Sequence, residues 1–305
     1  MKHHLLYFNI LKKIYLKLCC VSFIIFLPLN AFSITIQDDL GQKIFLAKPA
    51  KKIVSLYGGI TDILLSLNLK EHIVGWTKPD ALEWGGNIVS IGTHMRPNLE
   101  IILSLHPDLV LQMGTAKHSI LPIKHLKKYN IPVAVFNPHN FKELFHTILR
   151  IGKLVGKKQL AHQLVKQYQQ KLKNLNTDKI PFTKRPTIFF EVRYPNLLSV
   201  GQGSIVSEII YWAGGRNILK SSKKLLRISE EKLLSLNPQV YIIQKGPMNK
   251  KPISLHKRPL FKKIKAVLTN HILIVKEKNF SRPGPRSIEA VLFLHHYLKQ
   301  QHLIP

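Results

Sequence analysis

Apolar residues recur along this chain at two spacings that take turns. Residues 34–52 alternate apolar and polar positions on either side of Asp39-Leu40-Gly41, which predicts a hairpin. The short apolar runs IVSLY, HIVGW, NIVSIG, PDLVLQMG and IPVAVFN have the length of buried strands. Between them ITDILLSLNL, PNLEIILSLH and ILPIKHLKKYN repeat apolar residues at helical spacing. That alternation predicts a parallel α/β sheet. It stops at about His139. From there to Asn176 no strand candidate occurs, and one helical period continues with Gly152 and Gly156 as its only weak points. The alternation then resumes. TIFFEVR, PQVYIIQ and HILIVK read as strands. SIVSEIIYWAGG, EEKLLSLN, RPLFKKIKAV and SIEAVLFLHHYLKQ read as helices. The expected order is an α/β lobe over 34–138, a long linking helix over 139–178 and a second α/β lobe over 179–305.

Both expected lobes contain nearly the same phrase. Glu100 opens EIILSLHPDLV and Glu231 opens EKLLSLNPQV, sharing the glutamate, the Leu-Ser-Leu and the proline. Asn98 and Ser229 stand two residues before each glutamate and suit a helix N-cap. The carboxylate then falls in the first turn, where the helix dipole stabilises it. Pro107 and Pro238 stop each helix and lead into a strand. Cap and stop explain the residue types, but not why both lobes keep the glutamate at one exposed position.

The first 33 residues change the compartment. A start with Lys2, Lys12, Lys13 and Lys17 and no acid precedes the apolar run Leu18–Leu29, and Ala31-Phe32-Ser33 offers small residues for cleavage near Ser33. This reads as a signal peptide, with an uncleaved anchor as the alternative. Both cysteines, Cys19 and Cys20, lie within it, so the remainder needs no disulfide. Basic residues outnumber acidic ones 46 to 16, a formal charge of +30. The lysines are scattered over predicted helix faces and no nucleic-acid motif occurs, so a nucleic-acid partner is not expected. A positive field would steer anionic ligands or draw the chain to anionic membrane.

With DDLGQKIFLAKPAKKIVSL, PNLEIILSLHPDLVL, AGGRNIL, ISEEKLLSLNPQVYII and SRPGPRSIEA in this order, the chain resembles the class III substrate-binding proteins of ABC importers, which take cobalamin, ferric siderophores and haem. The resemblance covers nearly all of Ile34–Leu298. It implies two Rossmann-like α/β lobes joined by one long rigid α-helix, with a metal chelate in the cleft between them. It also implies a monomer, peripheral to the inner membrane, that delivers its chelate from the periplasm to a permease dimer with its ATPase. Glu100 and Glu231 match the surface glutamates that dock each lobe onto the permease.

Ligands of open α/β sheets meet the loops at the carboxyl ends of strands. Those loops offer Tyr57, Trp76, His94, Met95 and Arg96 in the first lobe, and Arg193, Tyr194, Phe280 and Arg282 in the second. Aromatics and methionine suit a flat or macrocyclic ligand, and arginines suit carboxylate, phosphate or hydroxamate oxygens. A haem ligand would want His94 or Tyr57 as an axial donor. A bare zinc or manganese ion is the alternative that the 15 histidines suggest, but they form no tight cluster with carboxylates, so no metal site is assigned. No enzyme activity and no cofactor are expected. Gln202-Gly203-Ser204 does not complete a nucleophile elbow, and Gly58-Gly59 is not a dinucleotide fingerprint.

Overall fold

The hairpin forms as its alternation requires. Strands β1 (Ile34–Gln37) and β2 (Lys43–Leu46) pair antiparallel with their apolar positions inward. The turn is held by Asp38, whose carboxylate accepts from the backbone N–H of Leu40 and Gln42 and, on its other oxygen, from Val135. The computed structural model describes residues 33–114 and 117–305. Apart from Ser33, the signal peptide expected over 1–33 lies outside them. Residues 34–305 form one compact unit.

The first lobe follows in order: β3 (Ile53–Ser55), α1 (Gly58–Ser66), β4 (Ile73–Trp76), α2 (Lys78–Trp84), β5 (Val89–Ser90), β6 (Gly92–Thr93), β7 (Arg96–Pro97), α3 (Leu99–Ser104), β8 (Leu109–Met113), α4 (Lys117–Lys124) and β9 (Val133–Phe136). Its five-stranded sheet runs β5-β4-β3-β8-β9, all parallel. Every residue of β3, β8 and β9 is buried, because helices cover both faces. The two-residue strands β6 and β7 form a small hairpin that the sequence pattern did not disclose.

The helical period of 139–178 is kept by two helices, α5 (Phe141–Leu154) and α6 (Lys158–Lys173). Gly156 stands between them at φ +70°, which favours glycine, and Lys157 N–H turns back to the Gly152 carbonyl at 2.7 Å. Helix α5 belongs with the first lobe: Arg150 bonds Asp39 at 2.7 Å and the Gln37 carbonyl at 2.9 Å. The long connector is therefore α6, which leads through a short 3₁₀ turn (Thr177–Lys179) into the second lobe.

That lobe contains β10 (Thr187–Arg193), β11 (Leu198–Val200), α7 (Ile205–Trp212), β12 (Arg216–Asn217), β13 (Leu225–Arg227), α8 (Glu230–Leu236), β14 (Val240–Lys245), α9 (Lys265–Leu268), β15 (Ile272–Lys276), α10 (Glu277–Phe280) and α11 (Pro285–Gln300). Its sheet runs β13-β11-β10-β14-β15, with β12 also on β10. Strands β10, β12, β14 and β15 are parallel, whereas β11 runs antiparallel to both its neighbours, β10 and β13. The closing helix α11 packs against α7 of its own lobe, the connector α6, and α1 of the first lobe. One apolar cluster consequently runs from Ile53 and Phe136 through α5 and α6 to Ile188 and Leu294.

Candidate ligand cleft and the repeated helices

The repeated phrase builds the same object twice. Asn98 caps α3 by accepting from Ile101 N–H at 3.1 Å, and Ser229 caps α8 by accepting from Lys232 N–H at 3.2 Å. Glu100 and Glu231 each occupy the second helical position and are exposed. The Glu231 carboxyl is held below its usual range by hydrogen bonds from the Ser229 hydroxyl and its own backbone. Each helix stops at a left-handed residue, His106 and Asn237, both at φ +45°. The residue after each proline then pins the neighbouring strand. Asp108 accepts from the N–H groups of Lys51 and Lys52 at 2.9 and 3.0 Å, and the Gln239 side chain accepts from Thr187 N–H at 3.0 Å. Before each helix, Arg96 and Arg227 sit on short antiparallel strands, β7 and β13. The likeness therefore extends well beyond the shared letters.

The strand-end loops bring some of the expected ligand residues together. Tyr57 precedes α1 and lies edge-on to His94, with ring centroids 5.5 Å apart at 87°. Burial, and next Glu277, push the Tyr57 hydroxyl up to about 12, so it stays protonated at neutral pH. Arg282 comes across from the second lobe. It pairs with Glu277 at 2.9 Å, and its guanidinium lies against Gly58. The lobes touch closely here: a Cβ on Gly59 would fall 2.1 Å from the Pro283 carbonyl oxygen. Met95, 49% exposed, and Arg96 stand at the open tip of the β6–β7 hairpin beside His94. Arg193 and Tyr194 end β10, both half-buried, and the Arg193 Nε is buried with no hydrogen-bond partner.

Two expected contacts are corrected. Trp76 is 0% exposed and belongs to the apolar core, because it is still part of β4, paired with Ser55 and Ser90, rather than in the loop that follows. Phe280 is 3% exposed, stacked on Phe190 and set edge-on to Phe293. Both fill the core beneath the cleft.

Periodicity did not mark several groups that shape this region. Asp80 is buried behind Tyr57 and accepts from the Thr77 and Thr61 hydroxyls at 2.7 and 3.1 Å. Burial raises its pKa against the lowering effect of those two bonds. Glu191, fully buried on β10, accepts from Tyr241 at 2.7 Å, Asn249 at 3.2 Å and both amino groups of Arg258. The Arg258 guanidinium in turn lies 3.8 Å from the centre of the Tyr194 ring. Burial, and next Glu230 at the first turn of α8, raise the pKa of the Tyr194 hydroxyl. Glu83 joins the lobes by pairing with Lys278 at 2.6 Å and with Arg286, which also reaches Asp62 at 2.9 Å. Arg286 is thus committed internally. A hollow of about 880 Å³ lies elsewhere, between α5, α6 and α7, and none of the expected ligand residues lines it. Among the described residues, no group of three or more His, Cys, Asp or Glu side chains is placed to hold a metal ion.

Comparison with known proteins adds the context. Residues 53–278 match the periplasmic binding protein family. The chain is 30% identical over 267 residues to the uncharacterized ABC transporter substrate-binding lipoprotein YvrC of Bacillus subtilis, covering 86% of this chain and 84% of that one. It superposes at a TM-score of 0.70 and 26% identity on a possible iron-binding periplasmic solute-binding protein of Staphylococcus epidermidis, over 82% of this chain and 99% of that one. The periplasmic vitamin B12-binding protein BtuF of Vibrio cholerae superposes at 0.66 and 22% identity, over 83% of this chain and 98% of that one.

Proposed function

Because the chain belongs to the periplasmic binding protein family of ABC importers, we propose that it captures a ferric siderophore or corrinoid between its lobes and hands it to a membrane permease. The carrying observation is the duplicated helix start, which puts an exposed glutamate at the same helical position in each lobe. Two like charges on two like lobes fit a two-fold partner whose arginines receive one glutamate each. Such pairs set register and on-rate more than affinity.

The cleft supplies the other half. Tyr57, His94 and Met95 offer ring faces and a soft sulfur to a flat or macrocyclic ligand, with Arg96 beside them. Arg193, with its buried unpartnered Nε, offers a donor that a ligand oxygen would satisfy. Arg282 is neutralised by Glu277 and packs against Gly58, so it is not free to receive an anion. The Tyr57–His94 pair also favours a second reading, haem, because both residue types serve as axial donors.

Thermal unfolding against cobalamin, cobinamide, haem, and ferric hydroxamate and catecholate siderophores tests this. A ligand at about 100 times its Kd adds about 2.7 kcal/mol and raises the midpoint by several degrees. A shift with one class identifies the cargo. No shift with any, from a protein that melts cooperatively, refutes the chelate assignment. Haem is dropped if Tyr57→Phe and His94→Ala both leave the absorbance of the haem-loaded protein unchanged.

A further inference from the structure

The crossover from β14 to β15 carries a surface that the capture of a ligand does not use. From Lys232 to Lys276 the chain contains no aspartate or glutamate. Within that stretch Leu255–Lys257 and Pro259–Lys263 are 3₁₀ turns, followed by α9. A 3₁₀ helix repeats every three residues, so side chains at i and i+3 eclipse. Leu255, Arg258, Phe261, Ile264 and Val267 keep that spacing and are all buried. They pack against β14 and the second-lobe sheet. Most positions between them, and Leu268 just beyond, face outward: His256, Lys257, Leu260, Lys262, Lys263, Lys265 and Leu268 are exposed, while Ala266 is buried.

Two features of this outward face point to its partner. Its lysines, with Lys250 and Lys251 just before them, take part in no ion pair among the described residues. Exposed aliphatic side chains lie among them: Met248 at 44%, Ile253 at 44%, Leu260 at 45% and Leu268 at 72%. We propose that this crossover is a membrane-contact surface that binds anionic phospholipid headgroups through its lysines and sets its aliphatic side chains among the acyl chains. Lysine ammonium groups are drawn to an anionic leaflet, and apolar side chains interleaved with them add area buried at the interface. Nucleic acid fits less well. The one arginine of the stretch, Arg258, is buried on Glu191, and no Phe, Tyr or Trp ring is exposed here to stack on a base.

The surface is anchored to the helix that carries Glu231. Lys265 N–H donates to the Asn237 side chain at 2.7 Å and Ala266 N–H to the Pro238 carbonyl at 3.0 Å. The crossover thus adjoins the far end of α8, the helix whose first turn carries Glu231. The lipid contact itself depends on neither the cargo nor the permease.

Co-flotation of the purified protein with vesicles tests it. One set is pure phosphatidylcholine, the other an equimolar mixture with phosphatidylglycerol. Binding to the mixture, weakened by salt, and none to phosphatidylcholine are expected. Replacing Lys257, Lys262 and Lys263 by glutamine should weaken binding about fivefold per lysine, on the order of a hundredfold together. All three are exposed, so the unfolding midpoint should not move. The control replaces the exposed Lys157, Lys158 and Lys166 of the connector region by glutamine and should change binding far less. Equal losses in the two variants would reduce the effect to net charge and overturn the proposal. So would equal binding to both vesicle types, or retention of a DNA duplex in place of the charged vesicles. Leu260→Ser with Leu268→Ser should weaken vesicle binding without changing its salt dependence. Unchanged binding there would sink the aliphatic half. Because the readout is a difference between variants, any contribution of residues 1–33 cancels.

Discussion

The two lobes share one blueprint for the repeated helix but stiffen the ground beneath the cleft with different chemistry. In the first lobe a buried carboxylate, Asp80, is held by neutral hydroxyls, with Thr61 bonded onward to Ser55 at 2.8 Å. In the second lobe a buried carboxylate, Glu191, is held by a guanidinium, a phenol and an amide. The first arrangement can shuffle: hydroxyls rotate and find other acceptors. The second is fixed by planar bidentate geometry, and it grips Tyr194 through the face of its ring. The two glutamate-bearing helix starts are kept alike, whereas the buried supports of the two lobes are built separately.

The largest expected effect breaks the shared part. Reversing Glu100→Lys and Glu231→Lys together should abolish cellular uptake of whichever ligand the panel identifies, while its binding to the purified protein stays unchanged. Each single reversal should impair uptake to a similar degree, because the two helix starts are equivalent. Loss of ligand binding would mean that the glutamates are structural. A large effect from only one of them would mean that the lobes dock unequally.

The next effect sharpens the difference. Arg258→Ala leaves Glu191 charged, buried and short of its main partner, which typically costs about 3–5 kcal/mol. Asp80→Ala strands two hydroxyls and leaves Arg282 its Glu277 partner, and should cost about 1–3 kcal/mol. Urea unfolding of both variants at neutral pH measures the gap. Equal losses would mean that the Arg258 pair does no more than the hydroxyl cluster, and the contrast between the lobes would fall.

The contrast also explains what sequence could disclose. The repeat was legible because caps and stops are local: Asn98, Ser229, Pro107 and Pro238 act on residues within one turn. All five strands of the first sheet, and β10, β14 and β15 of the second, were legible as apolar runs. The break at Gly156 was visible only as a weak point, since one helical period runs through both α5 and α6 and the reversal depends on one backbone angle. Arg258 and Glu191 are 67 residues apart, and nothing local marks them as partners. Trp76 was misplaced because an aromatic residue at a strand end looks the same whether it faces the cleft or the core. Strands β11, β12 and β13, of two or three residues each, are too short to establish a period.

The smallest expected effect tests whether the blueprint is energetic or only geometric. Asn98 and Ser229 each satisfy one backbone N–H at the start of a short helix, and an alanine there typically costs about 1 kcal/mol. The two caps are not wholly alike. The Ser229 hydroxyl also helps to hold the Glu231 carboxyl below its usual range, whereas the Asn98 side chain is engaged with the Ile101 N–H. Asn98→Ala should therefore lower stability and leave uptake near normal once the protein is folded. Ser229→Ala should lower stability by a similar amount and also release the Glu231 side chain, so that uptake falls by a few-fold at unchanged ligand affinity. Chemical unfolding together with uptake at saturating ligand separates the two effects. If both alanine variants lose stability alike and neither alters uptake, the serine acts only as a cap, and the glutamates alone define the contact.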